Sequence, residues 1–207
     1  MIPCSRVNLN LPNKITLARL LLAIVFFILL AQYSQRDPQP WKLDVGVAIF
    51  IVAAVTDILD GYLARKRGLE TALGRLLDPF VDKVLVCGAF IMMAGPAFVD
   101  TDGVNVTAVR AWMVVVIVGR ELLVTGLRGF NESAGKPFPA SVYGTIKMWM
   151  QSIAVPVILF LVAREATATW DASWMKLAVM WLTVVVTALS TVHYLIKSRH
   201  ILEAGGA

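Results

Sequence analysis

The chain has 207 residues, 58% hydrophobic and 16% charged, with a mean hydropathy of +0.73 and a formal net charge of +5. A soluble domain averages about 45–50% apolar and about 25% charged residues, so several soluble domains are excluded and one all-α integral membrane domain over 1–207 is expected. Cys4 and Cys87 give no disulfide framework or thiolate metal site, and the basic residues form short clusters beside apolar runs, the pattern of membrane topology and anionic lipid contact rather than nucleic-acid binding.

In chain order, Arg6, Lys14 and Arg19 precede an apolar run over 20–31 that has the outline of a signal sequence. No small-residue cleavage site follows and Arg19 lies inside the span, so a retained helix over 11–33 is expected. Five more spans follow at 43–65, 77–95, 106–130, 140–163 and 173–196, joined by short connections rich in Gly, Pro and Asp. Thirteen of the 19 Lys and Arg fall on the side opposite the first connection, including Arg65, Lys66, Arg67, Lys136 and Lys197; five, including Arg36 and Arg164, fall on the other. The positive-inside rule then places both termini at the cytoplasmic face. Trp41, Trp112, Trp149, Trp170 and Trp174 near span ends read as interfacial belting, and the methionines at 92, 93, 148, 150, 175 and 180 as packing. His193 and His200, with no carboxylates around them, read as interfacial or solvated; Lys197 and Arg199 read as a headgroup anchor.

The second and third spans carry Asp57-x2-Asp60-Gly61-x2-Ala64-Arg65-x8-Gly74-x3-Asp78-x3-Asp82. An ionised aspartate at the bilayer centre costs about 2.5–3.5 kcal/mol, so four of them need a compensating cation. Asp57 and Asp60 are spaced i,i+3 and Asp78 and Asp82 i,i+4, so each pair shares a helix face, and two such pairs make an oxygen cage suited to Mg2+ or Mn2+. Asp57 lies about 12 Å along the helix from Arg65. Gly61 and Ala64 keep that face low for a bulky anionic group. Asp78-Pro79 reads as the start of the third helix, with 66–77 as a connection that folds the two pairs together in an antiparallel hairpin. Capping, or pairing with Arg65 and Lys83, accounts for one or two of the aspartates but not for four in this frame. Further on, Glu121, Thr125 and Arg128 share one helical stripe, while Arg120 lies about 100° round from Glu121 and is not expected to pair with it.

The aspartate frame resembles the signature of the CDP-alcohol phosphotransferase family, D-x2-D-G-x2-A-R-x8-G-x3-D-x3-D, with every fixed position present. The resemblance implies a six-helix membrane enzyme, usually a homodimer, that moves a phosphoalcohol group from a CDP-linked donor to an acceptor hydroxyl and releases CMP. By position, it implies that Asp57, Asp60 and Asp78 hold one metal ion and Asp57, Asp78 and Asp82 a second. Asp82 would also act as general base, and Gly61, Arg65, Thr71 and Gly74 would contact the CDP donor. The two ions would clamp the diphosphate and neutralise the CMP leaving group.

Within that family, Leu11-Pro12-Asn13-x2-Thr16-x2-Arg19, Leu77-Asp78-Pro79-x2-Asp82-Lys83, Gly119-Arg120-Glu121-Leu122 through Arg128, and Gly144-x2-Lys147-Met148 with Gln151 are similar to bacterial phosphatidylglycerophosphate synthases. The likeness covers most of 11–151, and the C-terminal third adds little. Gly144-Thr145-Ile146-Lys147 stands where many relatives have Gly-Lys-x-Lys, one positive charge fewer. The branch implies CDP-diacylglycerol as donor and glycerol 3-phosphate as acceptor at the cytoplasmic face of a bacterial inner membrane. Arg120, Arg128 and Lys147 are the expected contacts of the acceptor phosphate. The rival readings are a cardiolipin or phosphatidylinositol phosphate synthase of the same family, and a cation transporter. The last would spread its carboxylates over several helices, with repeats or broken helices at the midplane.

Overall fold

The computed structural model describes the backbone of residues 11–67, 72–133, 142–167 and 171–203, and side chains within 15–57, 79–131, 142–167 and 171–196. Among these residues there are six α-helices and no strand: α1 (Leu11–Ala31), α2 (Pro40–Arg67), α3 (Ala72–Met93), α4 (Ala111–Ser133), α5 (Val142–Glu165) and α6 (Ser173–Glu203). Each expected span corresponds to one helix. The α5 helix and residues 173–196 of α6 are both long and apolar enough to cross a membrane.

Each helix buries one stripe and leaves another apolar stripe uncovered. On α1, Ala23, Phe26 and Leu30 face inward at i, i+3 and i+7, while Leu17, Leu21, Ile24 and Ile28 are exposed. The same holds for Val115 on α4, Ile153 on α5 and Leu189 on α6, all exposed beside buried neighbours. An aqueous surface rarely carries continuous apolar patches of this extent, so these faces are built for lipid.

The helices pack in a ring of order α1, α2, α5, α6, α4, α3, closing back on α1, with α3 and α5 touching across the centre. At the α1–α2 contact the Phe26 ring stands 5.6 Å from that of Phe50. Gly46 approaches the same ring closely enough for ordinary van der Waals contact. At the α1–α3 contact Gly88 makes room for Phe27: a Cβ at that position would lie 2.4 Å from the ring's Cζ. A side chain of any size is therefore excluded there unless Phe27 moves.

Two expectations about the third span change. The α3 helix begins at Ala72, well inside the segment read as a connection, and Pro79 lies within it rather than at its start. Proline lacks an amide hydrogen and leaves the carbonyl four residues back without a helical donor, yet the helix runs on through Pro79 to Met93. Secondly, α2 and α3 touch only slightly among the described residues, and α1 packs against both. The two halves of the aspartate frame are joined through α1 as much as through their own connection.

The end away from the frame is tied by polar contacts. Asn105 Nδ2 and Thr107 Oγ1 each donate to the Met93 carbonyl at 2.9 Å, fixing the connection between α3 and α4. Asp100 Oδ1 accepts from the amides of Asp102 and Val104, with Gly103 supplying the positive φ (+80°) that this tight turn requires. Glu165 pairs with the buried Lys176 and accepts from the Ala172 amide at 2.6 Å, locking α5 to α6.

Candidate active site

Asp57 projects from α2 and is paired with Arg19 of α1, a guanidinium only 1% exposed. A fully buried arginine at this depth is costly unless compensated, so the pair marks α1 as part of the site. Sequence reading quoted Arg19 within the opening motif but gave it no role, because a contact 38 residues away leaves no local spacing signal. Asp82 projects from α3 within electrostatic reach of Asp57, Lys147, Lys83 and Glu121. It therefore stands among charges of both signs, the carboxylates of α2 and α4 and the lysines of α3 and α5. Asp60, Gly61, Arg65, Gly74 and Asp78 occupy helical positions on α2 and α3, but their side chains, and Thr71 altogether, lie outside the described residues. Among the described residues no three His, Cys, Asp or Glu form a metal-sized group, as expected when two of the four frame aspartates are not included.

Behind Asp82 is a narrow cleft of about 10 Å³, lined by Asp82, Lys83, Cys87, Glu121, Lys147 and Gln151 among others. Lys147, 5% exposed, comes from the second turn of α5 and pairs with Glu121 of α4. Glu121 is also bonded by its neighbour, Arg120 Nη1 to Glu121 Oε1 at 3.1 Å. This overturns the expectation that the two would not pair. An angular offset of 100° separates their Cα–Cβ bonds, but two long side chains buried away from water bend towards each other rather than leave either charge alone. Arg120 Nη2 donates to Ser190 Oγ at 2.8 Å and its guanidinium lies 5.4 Å from the centre of the Tyr194 ring, so α6 fixes it. Gln151 Nε2 donates to Thr187 Oγ1 at 3.1 Å.

The expected stripe of Glu121, Thr125 and Arg128 divides accordingly. Glu121 is buried; Thr125 turns its hydroxyl onto the Glu121 carbonyl at 2.7 Å, and Arg128 is exposed. Of the three expected acceptor contacts, Lys147 lines the Asp82 cleft, Arg120 stands behind Glu121, and Arg128 is not part of this cluster.

A model of the CDP-alcohol phosphatidyltransferase family matches residues 9–189. The chain belongs to the CDP-alcohol phosphatidyltransferase family. Curated relatives are named CDP-diacylglycerol–glycerol-3-phosphate 3-phosphatidyltransferase. One from Bacillus subtilis (strain 168) is 41% identical over 72% of this chain and 76% of its own length. One from Pseudomonas fluorescens is 31% identical over 90% of this chain and 89% of its own. One from Rickettsia bellii is 33% identical over 74% and 77%. For a phosphatidyltransferase of this family, the helix that sequence reading underused is α6. Its buried Thr183, Thr187, Ser190 and Tyr194 recur at i, i+4, i+7 and i+11, a polar stripe inside an apolar helix. That periodicity is visible in the sequence and marks the face that holds Arg120 and Gln151.

Proposed function

We propose that the chain transfers the phosphatidyl group of CDP-diacylglycerol to sn-glycerol 3-phosphate, giving phosphatidylglycerophosphate and CMP. The observation that carries this is the cleft where Asp82 of the signature meets Lys147 and Glu121 from the two helices expected to select the acceptor. In one sequential displacement the acceptor hydroxyl attacks the donor's β-phosphorus, its proton passes to the Asp82 carboxylate, and the bond to the CMP oxygen breaks. Positioning supplies much of the effect, because the Asp82 side chain is confined against Lys147 and within reach of Asp57.

Asp57, Asp60 and Asp78 would hold one divalent ion, and Asp57, Asp78 and Asp82 a second. The donors Asp57 and Asp82 are hard carboxylate oxygens on the two helices that flank α1, within electrostatic reach of each other, a set that fits Mg2+ or Mn2+. Such ions, when bound, neutralise the diphosphate and the charge developing on CMP. Gly61, Arg65, Thr71 and Gly74 would receive the CDP moiety. Lys147 would meet the acceptor phosphate, with Arg120 behind it and Arg128 reaching in from its exposed position.

The lipid-facing apolar stripes on the helices support a six-span, multi-pass arrangement of one domain. The excess of Lys and Arg at the frame's end supports both termini and the active site facing the cytoplasm of a bacterial inner membrane. Membrane lipids surround it, and a homodimer is the expected assembly. The test is CMP release by detergent-purified protein with CDP-diacylglycerol and Mg2+ or Mn2+, run in parallel with glycerol 3-phosphate, phosphatidylglycerol, inositol phosphate and no acceptor. Release only with glycerol 3-phosphate, abolished by EDTA, supports the proposal. Release only with another acceptor refutes the acceptor assignment.

A further inference from the structure

We infer that Glu121 is a positioning residue for the acceptor, the group that keeps the Lys147 ammonium at the Asp82 cleft. The inference rests on the reading of Lys147 as the contact of the acceptor phosphate. Lys147 lies in the second turn of α5, and a four-carbon stem at that depth reaches water by extending along the helix. It does not do so here. Its ammonium is turned inward onto Glu121, and the residue is 5% exposed.

Glu121 is in turn held in place. Arg120 Nη1 bonds the same oxygen, Glu121 Oε1, that pairs with Lys147, and Arg120 is anchored to α6 through Ser190 and Tyr194. The order of support runs from α6 through Arg120 to Glu121, then to Lys147 and the cleft. Glu121 thus converts a flexible cation into a fixed one, which lowers the ordering cost of binding an anion.

The charge balance points the same way. Together with Asp82 and Lys83, which line the same cleft, Arg120, Glu121 and Lys147 leave one surplus positive charge, a combination suited to an anion and poorly suited to a neutral acceptor. Arg120 Nε is also buried with no acceptor among the described residues, so the cluster retains donor capacity. Without Glu121 the ammonium has two other places to go: along the stem towards water, or onto the Asp82 carboxylate across the cleft. Either removes it from an incoming phosphate.

The experiment measures KM for glycerol 3-phosphate and for CDP-diacylglycerol separately, on full-length protein in detergent, for Glu121→Gln, Glu121→Asp, Lys147→Met and the double variant Glu121→Gln/Lys147→Met. Glu121→Gln and Lys147→Met are each expected to raise KM for glycerol 3-phosphate at least tenfold, with KM for CDP-diacylglycerol within twofold. The double variant is expected to be no worse than Lys147→Met alone, because Glu121 acts through Lys147. Glu121→Asp, which keeps the counter-charge on a shorter stem, is expected to raise the acceptor KM about threefold, and it decides the matter if Glu121→Gln does not fold. A raised KM in Lys147→Met with an unchanged KM in the Glu121 variants overturns the inference and leaves the function standing. Additive effects in the double variant also overturn it. An unchanged acceptor KM in Lys147→Met removes the phosphate-contact reading and this inference with it.

Discussion

Glu165→Ala is expected to be the most damaging single truncation at the end of the bundle away from the aspartate frame. Glu165 does two things at once: it is the counter-ion of Lys176, which is 2% exposed, and it accepts the Ala172 amide at 2.6 Å. Breaking a buried pair by removing one partner costs about 3–5 kcal/mol. An orphaned amide adds about 1–3 kcal/mol, and relaxation of Lys176 towards the surface returns part of both. A net loss of about 4 kcal/mol corresponds to a Tm drop of about 10 °C for a chain of this size. Glu165→Gln keeps an acceptor for Ala172 and loses only the charge, so about half that drop is expected. The Arg164–Asp44 pair at the same end is an internal contrast. Its side chains are 38% and 41% exposed, and Arg164→Met is expected to cost under about 1 kcal/mol. Thermal unfolding in detergent, followed by circular dichroism and by aggregation onset, reads all three. The reasoning fails if Glu165→Ala unfolds within 2 °C of wild type, or if Arg164→Met is the worse of the two.

Asp82→Asn is expected to lower CMP release by a factor of about 10⁴ or more while leaving Tm at or above the wild-type value, since a neutral amide relieves like-charge repulsion with Asp57; turnover within tenfold of wild type in folded protein would contradict its role. Arg19→Met removes a cation that shares Asp57 with any divalent ion. Tm in EDTA is expected to fall, and the stabilisation on adding Mn2+ to grow, so equal Mn2+ shifts in variant and wild type count against the pairing as a competitor for metal. Gly88→Ala forces Phe27 aside and is expected to cost about 1–2 kcal/mol, whereas Gly46→Ala, whose nearest neighbour is at 3.7 Å, should be neutral or slightly stabilising. Reversed order in unfolding would show that the α1–α3 contact is looser than the ring spacing indicates.

Membrane residence, the number and approximate limits of the helices, and the aspartate frame were all determined by the sequence. These are properties of composition and short-range spacing: an apolar run of the right length, or carboxylates three and four residues apart, means the same thing in any tertiary setting. The start of α3 differs from the one expected at Asp78-Pro79 because proline favours the first turn of a helix without requiring it, and here the helix continues through Pro79. The stripe on α6 was legible from its period but silent on its purpose, since nothing local says which helix will lie against it. Only the tertiary structure decided that α1 sits between the two aspartate-bearing helices and sends Arg19 to Asp57. It alone turned Arg120 onto Glu121 and set Lys147 beside Asp82. The physical reason is common to these cases. Where a long charged side chain ends up is settled by which partner can satisfy it away from water, and that partner is chosen by how the helices pack, not by how the residues are spaced.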